Sequence, residues 1–127
     1  MAQISISNET RAQIPTRALF HAITTAILPK TYNLNLVFVN SSEISKLNKI
    51  YRNKGKPTDI LSFPLGKNEG EIYVCPSEAR KESKKFSRSY ANFIPFLFIH
   101  GCVHLKGYDH GGTMERIEAK VRLKFKL

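Results

Sequence analysis

The spacing of apolar residues along the chain predicts alternating strands and helices in its first third. Residues 3–7, QISIS, alternate polar and apolar positions as a half-buried strand does, and residues 33–39, NLNLVFV, alternate before becoming wholly apolar. Between these two segments, apolar residues recur at helical spacing from Ile14 to Ile27 and stop before Pro29. A strand, a helix and a second strand are therefore expected in this order.

The middle of the chain predicts a second helix followed by a hairpin. Asn40 and Glu43 have the spacing of a capping box at the start of a helical apolar pattern. The segment GKPTDILSFPLG has a β-prone centre, and its Pro64 predicts an edge strand because proline donates no hydrogen bond to a neighbouring strand. After the turn KNEG, the segment EIYVC lies at hairpin distance, and Pro76 suits the first turn of another helix.

Three helices are predicted for the rest of the chain. Residues 76–89 form a basic helix, and the nearly apolar residues 90–106 form a buried central helix that ends at Gly107. Residues 114–125 resume a helical pattern. We expect an α+β (α/β layered) fold, with a small mixed β-sheet of about four strands packed with helices. With no repeat and no linker, residues 1–127 are expected to form a single domain.

The charge balance predicts an anionic partner. The chain carries 20 Lys and Arg against 10 Asp and Glu, for a net charge of +10 and a pI near 9.8. Because the basic residues do not line one long amphipathic helix, nucleic acid is favoured over a membrane. No apolar run reaches the roughly 18 residues of a membrane span, and no secretory signal is visible, so we expect a cytoplasmic protein. Cys75 and Cys102 lack a CxxC spacing and are predicted to be buried free thiols.

Three of the four histidines lie in the segment HGCVHLKGYDH, which predicts a metal site at the end of the central helix. His100 and His104 are four residues apart and share one helix face. Gly107 can turn the chain so that His110 returns toward them. Three imidazoles suit Zn²⁺ and leave a fourth position open for water, as in catalytic zinc sites. His21 stands alone and is expected to be an ordinary histidine.

The same spacing matches the HExxHxxGxxH pattern of metzincin peptidases, except that Gly101 occupies the place of the general base. This glycine either leaves room beside the metal or allows close helix packing. Asp109 either holds an imidazole N–H or acts on water, or is only a turn residue. Cys102 lies two residues after His100 and faces another side of the helix, so it is not expected to bind the metal.

Two motifs resemble the YbeY family of bacterial metal-dependent endoribonucleases, which act in ribosomal RNA maturation. LNKIYRNKGKPTDILSFP is similar to the family's LNxxYRxKDxPTDVLSFP, and HGCVHLKGYDH is similar to its HGxLHLxGYDH. The resemblance implies that His100, His104 and His110 bind one Zn²⁺ and that Arg52 lies at the active-site cleft. Departures from the family pattern are Gly55, where the family has Asp, and 111–112, where acidic residues are common.

The resemblance further implies a single-strand-specific endoribonuclease acting in 16S rRNA 3′-end processing, ribosome maturation and RNA quality control. Its expected partners are single-stranded RNA and the small ribosomal subunit. In the expected mechanism the metal would activate water and Arg52 would neutralise charge on the phosphate, and Asp109 is a second catalytic candidate. The basic residues expected to hold the RNA backbone in a positive groove, or to form only a solvated face, are Arg80, Lys81, Lys84, Lys85 and Arg88.

Other readings of the same residues stay open. Tyr51 or Phe63 either stacks on an unpaired base or belongs to the core. A metallopeptidase is favoured by the ligand spacing and opposed by Gly101 and the net charge. A non-catalytic RNA- or ribosome-binding factor with a structural metal is the second alternative.

Overall fold

One mixed four-stranded sheet forms the centre of the fold. The computed structural model describes residues 2–108 and 111–127. The strands are β1 (Gln3–Asn8), β2 (Asn33–Phe38), β3 (Ile60–Gly66) and β4 (Glu69–Val74), in the order β1-β2-β4-β3. β1 and β4 both pair with β2 in parallel, while β3 and β4 form an antiparallel hairpin. The predicted α+β fold and the predicted edge position of β3 are therefore confirmed.

The described ranges contain five helices. They are α1 (Arg17–Ile27), α2 (Ser41–Arg52), α3 (Pro76–Lys85), α4 (Tyr90–Leu105) and α5 (Gly112–Phe125). Helix α1 begins later than its apolar pattern, because the Thr16 side chain caps the helix by accepting a hydrogen bond from the Leu19 N–H. The prediction that α3 continues to residue 89 was wrong. The helix ends at Lys85, and Ser87 adopts a left-handed backbone conformation (φ 53°) that turns the chain away from the helix axis.

The main core lies between the sheet and helices α1, α4 and α5. Alternate residues of β2 and β4, including Leu36 and Ile72, point into it and are fully buried. Phe20 of α1 packs edge to face on Phe98 of α4, with ring centroids 5.0 Å apart. Fully burying each such side chain contributes about 1.5–3 kcal/mol. The predicted burial of the central helix is thus confirmed.

Gly101 brings α4 close to the hairpin. A Cβ atom at this position would lie 3.0 Å from Cδ1 of Ile72, 3.0 Å from Oγ of Ser62 and 3.1 Å from Cδ1 of Ile60. Of the two roles that the sequence left open for this glycine, the structure supports close helix packing. A glutamate at this position would point toward the strands.

Helix α2 packs on the opposite face of the sheet from α4. Ile44 is fully buried in a second, smaller cluster with Val37, Leu61 and Cys75. The N-cap half of the predicted capping box is present, because Oδ1 of Asn40 accepts a hydrogen bond from the Glu43 N–H at 3.0 Å. The C-terminal end of α2 therefore lies outside the layer that carries the histidine segment.

Both cysteines are free and buried, as predicted. Cys102 lies in the main core, where burial raises the pKa of its thiol. Within the described ranges, no helix has the length and apolar character needed to cross a membrane.

Candidate metal centre and cleft

His100 and His104 lie one turn apart near the C-terminal end of α4. Their ring centroids are 4.8 Å apart, and the ring planes are nearly perpendicular at 86°. Both side chains are partly buried. The structure therefore brings together two of the three predicted metal ligands.

The ring of His100 is oriented by a buried carboxylate on α5. Its Nδ1 lies 3.2 Å from Oε1 and 3.1 Å from Oε2 of Glu118, which is only 7% exposed. Arg122 lies on the other side of this carboxylate, with Nη1 3.8 Å from Oε1. Since a carboxylate accepts hydrogen bonds, the arrangement favours a proton on Nδ1 and a lone pair on Nε2 of His100.

The ring of His104 is oriented by the backbone. Its Nδ1 lies 3.1 Å from the carbonyl oxygen of Tyr108. A carbonyl oxygen can only accept, so Nδ1 donates and, in the neutral ring, Nε2 carries the lone pair. Histidines that bind metals typically donate their other ring N–H to a carboxylate or a backbone carbonyl. The two rings therefore fit the donor set of a zinc site.

The third predicted ligand, His110, and the adjacent Asp109 lie outside the described residues. In the parts of the chain that the structure does describe, no group of three His, Cys, Asp or Glu side chains is placed to hold a metal ion. The three-histidine site therefore stays a prediction. Cys102 is buried in the core, which agrees with the expectation that it is not a ligand.

A cleft of about 460 Å³ opens beside His100, and we call it the His100 cleft. Its described wall comes from α3, α4, α5 and the start of β3. The charged residues in this wall are Asp59, Glu82, Glu115, Glu118 and Arg122. Four carboxylates thus face one guanidinium, and the prediction of a positive groove does not hold for this wall. A bound cation would offset this excess of negative charge.

Asp59 is a cleft residue that the sequence reasoning missed. Burial raises the pKa of its carboxyl group, and the negative charge of Glu82 adds to this rise. Hydrogen bonds from the backbone N–H groups of Asp59 and Ile60, and the charge of His100, oppose it. The available signal was the carboxylate in PTDILSFP, the only charged residue of that segment.

Glu118 was also missed, although the helical repeat places it on the buried face of α5. It lies between Met114 and Val121, at positions that share one face of α5, and all three residues are buried. Ionisable residues are almost never fully buried unless they are paired. A carboxylate in an apolar helix stripe therefore indicates a polar partner nearby, and in the structure this partner is His100.

Arg52 lies at the C-terminal end of α2. It is the exposed last residue of α2, on the far face of the sheet, and it is not among the described residues of the cleft wall. Tyr51, beside it, is 64% exposed and contacts Phe63 with ring centroids 4.9 Å apart. These aromatic rings occupy the outer face of the sheet, away from the histidines.

Most of the basic residues of α3 contact their own neighbours. Nζ of Lys81 lies 3.1 Å from Glu78, and Nζ of Lys85 lies 3.0 Å from Glu82. Such exposed pairs contribute little to stability, about 0–1 kcal/mol each. The other two basic residues of this helix are Arg80, whose guanidinium lies 4.0 Å from the ring centroid of Tyr90, and Lys84, which is exposed.

Comparisons with known proteins agree on one family. A protein-family model described as Endoribonuclease YbeY matches residues 2–124. The chain is 38% identical over 125 residues to Endoribonuclease YbeY of Buchnera aphidicola, covering 87% of this chain and 81% of that protein. It is 35% identical over 133 residues to Endoribonuclease YbeY of Aliarcobacter butzleri, covering 98% and 93%. The solution structure of TM1509 from Thermotoga maritima matches with a TM-score of 0.67 at 27% identity, covering 98% of this chain and 92% of that one.

Proposed function

Because this chain belongs to the YbeY family of endoribonucleases, we propose that it cleaves single-stranded RNA at a zinc ion held by His100, His104 and His110. RNA is proposed as the substrate because the two relatives are named endoribonucleases. The wider role proposed is 16S rRNA 3′-end processing, ribosome maturation and RNA quality control in the cytoplasm, with the small ribosomal subunit as partner.

One observation carries this proposal. His100 and His104 share one face of α4, and each has its Nδ1 held by an acceptor, Glu118 or the Tyr108 carbonyl. With its proton on Nδ1, each neutral ring can bind a metal ion through the lone pair on Nε2. Residue 110 would complete the set from the segment that follows.

The chemistry proposed for the site combines a metal with side chains of the chain itself. His100, His104 and His110 would hold the zinc ion, which would supply a Lewis acid able to lower the pKa of a bound water toward neutral pH. Glu118 positions the His100 ring. Asp109 remains a candidate for moving a proton. Arg52 is proposed to neutralise charge on the phosphate, although it is not among the residues described in the cleft wall.

The rival peptidase reaction lacks its general base. Residue 101 would have to be a glutamate, and even a Cβ atom there would lie 3.0 Å from side-chain atoms of Ile72 and Ser62, so these side chains would have to shift. The alternative of a non-catalytic RNA- or ribosome-binding factor with a structural metal makes a different prediction: the wild type would bind RNA without cutting it, and removing one metal ligand would unfold the protein.

Two substrates and two histidine variants test the proposal. We expect protein purified without chelator to contain about one zinc per chain, to cut unstructured RNA and to leave casein intact. His104→Ala should abolish cleavage with little change in RNA affinity or circular dichroism, and His21→Ala, on α1, should cleave like the wild type. Casein cleavage that follows zinc content would overturn the proposal. Unfolding of His104→Ala would favour the structural metal.

A further inference from the structure

The turn between α3 and α4 presents an aromatic ring to the His100 cleft. Phe86 lines this cleft and is 53% exposed, although a phenyl ring gains by burial. Its ring centroid lies 5.4 Å from that of Phe93 and 5.7 Å from that of Phe96. The next residue, Ser87, has φ 53° just after α3 ends, and the Arg88 N–H donates a hydrogen bond to the Ser83 carbonyl oxygen at 3.0 Å.

Two arginines converge on the ring of Phe96, which also lines the cleft. The guanidinium carbon of Arg88 lies 4.3 Å from the ring centroid, and that of Arg122 lies 5.2 Å from it. Arg88 is held by a hydrogen bond to Oδ1 of Asn92, and Arg122 is held beside the carboxylate of Glu118. The two cations come from different elements, the α3–α4 turn and α5.

Placing two like charges beside one ring is unfavourable unless something compensates. Partial burial and the charge of Arg122 both lower the pKa of Arg88. Glu118 lies near Arg122, but it also accepts the hydrogen bond from His100. Carboxylates line the rest of the described cleft wall, but an anion that contacts both guanidinium groups beside Phe96 would relieve their repulsion. The planar fork of arginine suits the oxygens of a phosphate.

We propose that Phe86, Arg88 and Arg122 form a nucleotide subsite of the His100 cleft, in which the two arginines bind one backbone phosphate and Phe86 stacks on an unpaired base. The subsite deepens the proposed function and rests on it, because its ligand is a single-stranded RNA. Phe96 and His100 are four residues apart on α4, so the subsite lies about 6 Å along the helix from the first metal ligand. It therefore binds a nucleotide that flanks the cleaved bond.

Binding of a short RNA tests the stacking part. The probe is a fluorescently labelled single-stranded RNA of about eight nucleotides, titrated by anisotropy in the His104→Ala background so that it is not cut. Because stacking on an aromatic side chain contributes about 1–3 kcal/mol per base, Phe86→Ala should raise Kd about fivefold or more. Phe86→Trp should keep the affinity. Leu123→Ala, which removes an exposed apolar side chain outside the described wall of the His100 cleft, should have no effect.

An abasic strand separates stacking from a merely structural role. With a probe of the same length that carries only abasic sites, Phe86→Ala and its Phe86 parent should bind equally well. An equal loss of affinity for both probes would show that Phe86 supports the fold of the turn, and the stacking role would be overturned.

Salt dependence tests the phosphate part. Each phosphate contact of a single strand contributes about 0.7 to the slope of log K against log salt concentration. Arg88→Gln and Arg122→Gln should each reduce this slope by up to about that amount. Arg116→Gln, on α5 but bonded to Thr113, is the matched control and should leave it nearly unchanged. Slopes equal to the control for both variants would overturn the phosphate site.

The result for the wild-type protein distinguishes the two levels of the proposal. If the wild type cuts RNA and the subsite variants bind and cut like it, the subsite is wrong and the proposed function stands. If the wild type neither binds nor cuts RNA, the proposed function fails, and the subsite fails with it.

Discussion

Nδ1 of His100 lies 3.1 Å from a carboxylate oxygen of Glu118, so that a buried acid on α5 fixes the orientation of an imidazole on α4. The two residues are eighteen positions apart and meet only because α5 packs on α4. This contact links the stability of the helix pair to the geometry of the proposed metal centre.

Glu118→Gln should weaken zinc binding about 10- to 100-fold. An amide orients the His100 ring less firmly than a carboxylate does, and it raises the basicity of the metal-binding Nε2 less. Competition with a zinc-binding dye measures this loss. Glu115→Gln removes an exposed carboxylate from the same helix and the same cleft and is the control. Equal zinc affinities for the two variants would contradict a positioning role for Glu118.

Gly101→Glu should not create a peptidase and should destabilise the fold by at least about 2 kcal/mol, because a new side chain would press on β3 and β4 and bury a carboxylate. Urea denaturation gives the free energy of unfolding, and a casein assay checks activity. The control is Gly66→Glu, an exposed strand position where a Cβ atom meets nothing within 4 Å. A stable Gly101→Glu protein would show that α4 packs less closely than described.

Tyr32→Phe should stabilise the protein by about 1 kcal/mol. Within the described ranges the Tyr32 hydroxyl is buried without a hydrogen-bond partner, and such a group lowers the free energy of unfolding. Urea denaturation of the two proteins measures the difference.

A Cβ atom at Gly70 would collide with the Tyr32 hydroxyl oxygen and lie 3.0 Å from Cδ2 of Leu105. Gly70→Ala should therefore destabilise by about 1–3 kcal/mol alone, and by at least about 0.5 kcal/mol less in the Tyr32→Phe background. A double-mutant cycle of unfolding free energies measures the coupling, and additive effects would refute the contact.

Asp59 should make stability fall as pH rises above the ordinary carboxyl range. The folded protein raises the pKa of Asp59 above its usual 3.8, so the folded state binds this proton more tightly than the unfolded chain. The contribution is complete below the unfolded pKa and is lost as pH rises through the folded pKa. Asp59→Asn should therefore gain stability relative to wild type between about pH 4 and pH 7. Chelator-treated samples compared by urea denaturation at both pH values check this, and a pH-independent difference would count against it.

The order of the strands and helices, the edge position of β3 and the placement of two histidines on one helix face were all predictable from sequence. Each depends on local rules: the alternation of polar and apolar residues, the limits that proline sets on hydrogen bonding, and the helical repeat that aligns His100 with His104. The burial of Cys102 likewise follows from the apolar residues around it. Helix ends were less certain, since the left-handed Ser87 that ends the path of α3 has no strong local signal.

Only the tertiary structure decided which residues meet from distant parts of the chain. Glu118 reaches His100, Arg122 joins Arg88 beside Phe96, and Gly101 lets α4 approach β3 because separate elements pack against one core. Periodicity records which face of an element is buried, but it does not record what that face contacts. For this reason the sequence by itself determined the strands, the helices and the predicted metal ligands. Packing determined that Glu118 orients His100 and that Arg88 and Arg122 meet beside the cleft.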